Sequence, residues 1–218
     1  MQSINQKMPI VYKEDTADYS IGIWQSTETF EELLQVEPLN RDDMAKWTLF
    51  QNEKRKREWL TVRVLLRKLF PDQKLPVITY DEQGKPSLDN PTAISISHTK
   101  EFIAIIITSK ATAGIDLEGI RDSITVLAPK FINEQEEQSL PVENRIEHLH
   151  VLWGAKEVLY KLYGRGELDF RANLHVEVFS YNNKGTIIAR IKKDELHIKH
   201  HINYELWQNM MLAHSVSD

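Results

Sequence analysis

Apolar residues recur along this chain with two different periods, and the places where one period gives way to the other divide it into elements. Ile10-Val11-Tyr12 and Tyr19-Ser20-Ile21-Gly22-Ile23-Trp24 read as extended, the second with imperfect alternation. From Asn40, an N-cap ahead of Arg41-Asp42-Asp43, helical periodicity runs to about Phe70, where Pro71 enforces a stop. Trp59, Leu60, Val62, Leu66, Leu69 and Phe70 mark its buried side. Arg63 and Arg67, at i and i+4, share another face, expected to border a cleft. Residues 76–110 read as extended segments broken by Asp81-Glu82-Gln83-Gly84 and Leu88-Asp89-Asn90-Pro91, and Thr108 to Gly114 as a turn or a link between two halves. Helical patterns return over Val126 to Leu140 and Asn144 to Tyr163, the latter closed by Gly164. Asn173 to Tyr181, a turn at Asn182 to Gly185, Thr186 to Ile191 and His197 to Ala213 read as an antiparallel hairpin or meander. Helices and antiparallel strands together predict an α+β fold.

Composition narrows the setting. At 218 residues and 41% hydrophobic content the chain can build a core as one large domain or two small ones. The absence of cysteine excludes disulfides, thiolate metal sites and a catalytic thiol, and fits a reducing compartment, so the cytoplasm is expected. No apolar run approaches the ~20 positions of a membrane helix. The longest, Phe102 to Ile107, reads as a buried strand, and Gln2, Ser3, Asn5, Gln6 and Lys7 do not make the apolar core of a signal peptide, so no membrane is expected. A net charge of -5 argues against broad nucleic-acid binding. An anionic ligand must then meet a local patch, such as Lys54-Arg55-Lys56-Arg57 with Arg63, Arg67 and Lys68.

The densest chemistry lies in Gly114-Ile115-Asp116-Leu117-Glu118 and Trp153-Gly154-Ala155-Lys156-Glu157-Val158-Leu159-Tyr160-Lys161. Residues i and i+2 of a strand share a face, so Asp116 and Glu118, behind a turn glycine, converge while Ile115 and Leu117 face the core. The second segment presents Glu157 between Lys156 and Lys161 on helical turns. Three oxygen ligands beside ammonium groups suit a magnesium ion holding a polyphosphate. Taken singly, an Asp-x-Glu strand is ordinarily a solvated face and Glu157 with Lys161 an ordinary i,i+4 pair.

Order and separation favour the chemical reading. Gly84-Lys85-Pro86, Ile94-Ser95-Ile96-Ser97-His98-Thr99, Gly114 to Glu118, Phe131 to Glu137, and Trp153 to Lys161 followed by Gly164-Arg165-Gly166 together resemble the motif series of the 4'-phosphopantetheinyl transferases, in their long surfactin-type branch. Two departures, Thr99 where a Ser often stands and Val158 where a small residue often stands, remove no ionisable group. The resemblance implies two pseudo-duplicated α+β lobes, about residues 1–110 and 111–218, with the ligand cleft between them. It implies transfer of phosphopantetheine from coenzyme A to a serine of an apo acyl or peptidyl carrier protein, releasing adenosine 3',5'-bisphosphate. It further implies Asp116, Glu118 and Glu157 as magnesium ligands, and Glu157 as the base, its pKa lowered by the cation. Lys161 would meet the leaving phosphate and Lys156 a phosphate or the adenine-ribose end. Ser97 and His98, with Arg67 and Arg63, would read the 3'-phosphate, and Lys85 would close over the adenine. Phe131, Lys130 and Arg165 are possible positions for a carrier-binding rim. Because every part of the site lies in one chain, a monomer is expected.

Two other readings stay open: another metal-assisted phosphoryl enzyme, and a non-catalytic coenzyme A or carrier-binding module. His197, His200 and His201 read as a surface strand and Trp207, Met210 and Met211 as core. Nothing in the sequence says which carrier is served, or whether Glu157 or a water is the immediate base.

Overall fold

The computed structural model describes residues 10–37, 39, 41–71 and 74–218. The expected cap Asn40 and the polar stretch at Gln2 to Lys7 lie outside the described residues. The fold is α+β. The first half contributes β1 (Ile10–Asp15), β2 (Tyr19–Gln25), α1 (Phe30–Val36), α2 (Arg41–Leu49), α3 (Glu53–Leu69), β3 (Ile78–Tyr80), β4 (Pro86–Leu88), β5 (Ala93–His98) and β6 (Phe102–Thr108). The second contributes β7 (Thr112–Gly119), α4 (Ile124–Phe131), α5 (Glu134–Ser139), α6 (Arg145–Tyr163), β8 (Leu174–Val176), β9 (Lys184–Lys193), β10 (Leu196–Trp207) and β11 (Met210–Ser217). Antiparallel pairing builds one sheet in the order β1-β2-β6-β5, another in the order β7-β11-β10-β9-β8, and a small β3-β4 ribbon.

Side-chain alternation stacks these parts into four layers, α3, first sheet, second sheet, α6. Ile103, Ile105 and Ile107 of β6 join Trp24 against Leu60, Val64 and Leu65 of α3. Their neighbours Ala104 and Ile106 turn the other way, with Ile21 and Ile23, onto Ile115, Leu117 and Leu212 of the second sheet. This explains the unbroken apolar run of β6: both of its faces are covered. The far face of the second sheet, through Ala189, Ile191, Ile202 and Ala213, packs against Leu152, Ala155, Val158 and Leu159 of α6. The free edge of β7 meets β5, where the Ser95 hydroxyl accepts from the Ile115 N–H at 3.2 Å and the Ser97 hydroxyl from the Leu117 N–H at 3.1 Å. Two serine hydroxyls thus splice the sheets where a backbone ladder is missing.

Several boundaries move from those predicted. The long helix to Phe70 is two helices, because Asn52 accepts from the Arg55 N–H and starts α3 afresh. The Val126 to Leu140 pattern also splits, at Asn133, which forms a capping box with Glu136. Helix α1, which the periodicity did not bring out, begins with the same device at Thr29 and Glu32. The expected strand from His197 to Ala213 is a hairpin, turned at Gln208 and Asn209 with φ of 47° and 62°. Of Asn173 to Tyr181 only β8 pairs. Gly164 closes α6 at φ 64°, as expected. Met210 and Met211 are buried on opposite faces of β11, with Trp207 packed against the cluster that holds Met210. Among the described residues no helix is long and apolar enough to cross a membrane.

Candidate active site

β7 delivers its carboxylates by strand alternation: Ile115 and Leu117 are wholly buried between the sheets, while Asp116 and Glu118 turn toward α6. Gly114 is not in a turn. It lies within β7, where a Cβ would stand 2.8 Å from the carbonyl oxygen of Val158, so its lack of a side chain lets α6 settle onto the strand. That approach sets Glu157 and Lys161 beside Asp116. Lys161 Nζ donates to the Ile115 carbonyl at 2.6 Å and to Asp116 Oδ1 at 2.9 Å, leaving one N–H. Ser97 Oγ donates to the same Oδ1 at 3.2 Å. Arg121 Nη2 lies 3.4 Å from Glu118.

The three carboxylates repel one another. Burial, then Asp116 and Glu118, push Glu157 up to about 7 against the pull of Lys161. Glu118 is raised by burial and then by Asp116, with Arg121 and Lys161 acting against them. Asp116 Oδ2 is buried without a hydrogen-bond partner. Among the described residues no three His, Asp or Glu side chains stand in a finished metal-holding arrangement. The donor set still suits a hard divalent cation: it is all carboxylate oxygen, electrostatically frustrated, and includes one orphaned buried acceptor.

Other residues expected at the site are placed differently. Lys156, on the same helix, is completely buried, and its ammonium spends all three donors on the Phe131 carbonyl at 2.6 Å, Glu136 Oε2 at 2.7 Å and the Phe170 carbonyl at 3.0 Å. In this arrangement no donor of Lys156 is left over. Arg63 is buried, lies 3.2 Å over the Trp59 ring and donates to the Trp59 carbonyl and to Asp43. Arg67 forks onto both oxygens of Glu37, through Nε at 2.8 Å and Nη2 at 3.2 Å. Ser97 gives its proton to Asp116 at 3.2 Å. Phe131 is fully buried and offers no rim, whereas Lys130 and Arg165 are exposed. Lys85 reaches across from the β3-β4 turn to lie over Gly164 at the end of α6.

A basic cavity of about 190 Å³ opens instead beside His98, lined by Ser26, Glu53, Lys54, Arg57, Glu58, Thr99 and Lys100. His98 is exposed, its Nε2 3.9 Å from Glu58. Of this group the charge run flagged Lys54 and Arg57. Thr99 and Lys100 carried no signal beyond adjacency to Ser-His, since only the fold brings the end of β5 to the first turn of α3.

No family model matches the chain. Curated relatives do, and they bear out the resemblance read from the motifs. The chain is similar to the 4'-phosphopantetheinyl transferase AcpT of Salmonella typhi, 34% identical over 118 residues, covering 50% of this chain and 60% of that protein. It is similar to slr0495 of Synechocystis, a protein named as a candidate 4'-phosphopantetheinyl transferase, 32% identical over 142 residues, 59% of this chain and 58% of the relative. Against the 4'-phosphopantetheinyl transferase gsp of Aneurinibacillus migulanus, 29% are identical over 122 residues, 53% of this chain and 48% of the relative. The chain thus spans about half to three fifths of the length of the curated relatives it matches.

Proposed function

We propose that this chain, as a relative of the 4'-phosphopantetheinyl transferases, is an enzyme that moves the phosphopantetheine group of coenzyme A onto a serine of an apo acyl or peptidyl carrier protein, with magnesium. The observation that carries the reading is the convergence of Asp116, Glu118, Glu157 and Lys161 where α6 crosses β7, opposite the Ser97-His98 end of β5.

Asp116, Glu118 and Glu157 would hold the magnesium ion, which when bound neutralises charge on the pyrophosphate oxygens. Glu157, raised to about 7 in the metal-free chain, would be pulled down by a bound cation, and as the base for the attacking serine hydroxyl it would act through its position beside that hydroxyl. That hydroxyl oxygen bonds to the phosphorus carrying pantetheine as the bond to the other phosphate breaks. Adenosine 3',5'-bisphosphate leaves toward Lys161, whose remaining N–H can meet the departing oxygen. The cavity of Lys54, Arg57 and Lys100 beside His98 offers the charge for the nucleotide's phosphate that buried Arg63 cannot. Lys85, which lies over the end of α6, would cover the nucleotide. Exposed Lys130 and Arg165 suit the acidic helix of a carrier.

Residues 1–110 and 111–218 act as two lobes of one monomeric, cytoplasmic enzyme, with the site at their junction and every site residue in one chain. The test is to incubate the purified protein with coenzyme A, magnesium and a panel of fatty-acid, polyketide and peptide-synthetase apo carriers, then weigh the carriers. One or more carriers should gain the mass of phosphopantetheine. A panel left unmodified while the protein binds coenzyme A would favour a binding module.

A further inference from the structure

We infer that the uncovered face of β8, β9 and β10 is a docking surface for an acidic helical segment of a protein partner. This face lies on the opposite side of the second sheet from Asp116 and Glu118, so the contact is separate from the candidate active site.

Sheet register sets which residues stand there. Directly opposed residues share a face, and the pairs are His175 with Arg190, Arg190 with Lys199, Lys192 with His197 and Ile188 with His201. The alternate residues Ile187, Ala189, Ile191 and Ile202 point the other way and pack against α6, and His200, opposite Ala189, is buried on their side. Along β11 the first face is covered by the first sheet, through Met210 and Leu212. That cover ends where the Tyr12 hydroxyl of β1 reaches Glu205 at 3.2 Å. Beyond it Lys192, His197, Lys199 and His201 are exposed.

The charges on this face work against the fold. Arg190 stands opposite Lys199, and like charges across a strand pair destabilise the sheet. Glu177 offsets Arg190, accepting from its Nε at 3.0 Å, but among the described residues no carboxylate pairs with Lys192 or Lys199. Nor do these lysines guard an open edge, since β9 and β10 are interior strands of the order β7-β11-β10-β9-β8. Cations kept where they cost stability point to a partner that neutralises them. In a chain of net charge -5 the face is a local reversal of sign, complementary to an acidic surface.

Its dimensions select a helix. Three strands make a strip about 10 Å wide, and the rows from Lys192 to Thr186 run about 20 Å along it. That is the width of one α-helix and the length of about 13 of its residues. Half-buried Ile188, in the middle of the strip, suits an apolar side chain among the acidic ones. A nucleic acid would run past the strip, meeting Asp194 and Glu195 in the β9-β10 turn and Glu14 and Glu205 beyond the other end.

The experiment measures binding to the full chain, by fluorescence anisotropy, of a labelled Glu-rich amphipathic helical peptide of about 14 residues. A proline-interrupted peptide of the same charge and a single-stranded RNA of equal length serve as competing probes. The proteins are wild type, a triple variant carrying Arg190→Gln, Lys192→Gln and Lys199→Gln, and a control carrying Lys13→Gln and Lys46→Gln, two exposed lysines elsewhere. The triple variant should bind the helical peptide about tenfold more weakly, and the control should stay within about twofold of wild type. Wild-type binding should also weaken as salt rises from about 0.1 to 0.5 M. Should the triple variant fail to fold, Lys192→Gln with Lys199→Gln carries the comparison, since neither of these lysines has a carboxylate partner to lose. An independent readout is thermal unfolding, in which Lys199→Gln should raise Tm by about 1 to 3 °C by relieving the like-charge pair. No wild-type binding up to about 1 mM peptide, or equal loss in the control variant, would overturn the inference. So would a fall in Tm for Lys199→Gln, which would make the charge structural. Tighter binding of the RNA or of the interrupted peptide than of the helical one would overturn the assignment of the partner.

Discussion

Helix α6 carries two lysine–carboxylate pairs that differ in almost everything except composition. Lys156 meets Glu136 with both side chains nearly or fully buried, and two backbone carbonyls take its other donors. Glu136 is equally committed, accepting also from the Asn133 and Val176 N–H groups. Lys161 meets Asp116 at the helix's other face, partly exposed, with one N–H in hand and an unpartnered carboxylate oxygen beside it. The first pair is complete and ties the segments before α5 and after α6 to the helix. The second is incomplete, which is the condition for meeting a ligand. A motif that reads Lys-Glu-x-x-x-Lys thus contains one completed pair and one with hydrogen-bonding capacity left, and charge type alone does not separate them.

The contrast breaks most visibly at the lock. Lys156→Met should lose about 3 to 5 kcal/mol of stability, because Glu136 and two carbonyls are left buried without their partner. Urea unfolding measures it, and a loss below about 1 kcal/mol would mean that the pair is not a lock. At the site the sign should reverse. Glu157 in the folded chain is raised to about 7 from its ordinary 4.5, so its contribution to stability is fully present below 4.5 and is lost as pH rises through about 7. Glu157→Gln should therefore be more stable than wild type above pH 7 without divalent metal, by up to about 3 kcal/mol. The gain should vanish toward pH 4.5, and unfolding curves that keep a constant difference across that range would contradict it.

Lys161→Met sharpens the comparison from the functional side. Carrier modification should fall about a hundredfold, some 2.7 kcal/mol, while the stability loss should stay below that of Lys156→Met, because Lys161 is partly exposed whereas Lys156 is wholly buried. Equal damage to stability from the Lys161 and Lys156 variants would erase the distinction. The smallest effect belongs to Arg67, whose fork is committed to Glu37. Arg67→Lys should leave the preference for coenzyme A over 3'-dephospho-coenzyme A within about twofold, whereas Arg57→Ala should lower it by about tenfold, the worth of a charge-assisted hydrogen bond. Calorimetry with both nucleotides would return the opposite ranking if the ligand lay along the C-terminal half of α3.

What the sequence determined by itself is local. Alternation in β7 put Ile115 and Leu117 inward and Asp116 and Glu118 on one face, because a strand's period leaves no other choice. Gly164 announced the end of α6, since a left-handed cap favours glycine. The apolar run of β6 declared a strand buried on both sides. The helix breaks at Asn52 and Asn133 were present as capping residues, but each is followed by a charged, helix-favouring stretch that reads as continuation of the preceding helix. The tertiary structure alone decided which charged residues are partnered. Lys156, Arg63 and Arg67 look like free cations in a row of letters. They become a lock, a buried guanidinium and a fork only when Glu136, Asp43 and Glu37 arrive from elsewhere in the fold, although the Trp59 ring under Arg63 lies one turn earlier on the same helix. Ser97 likewise shows no partner in the sequence until β5 meets the free edge of β7 and its hydroxyl donates to Asp116. Periodicity is a property of neighbours along the chain, whereas a side chain's remaining hydrogen-bonding capacity depends on neighbours in space.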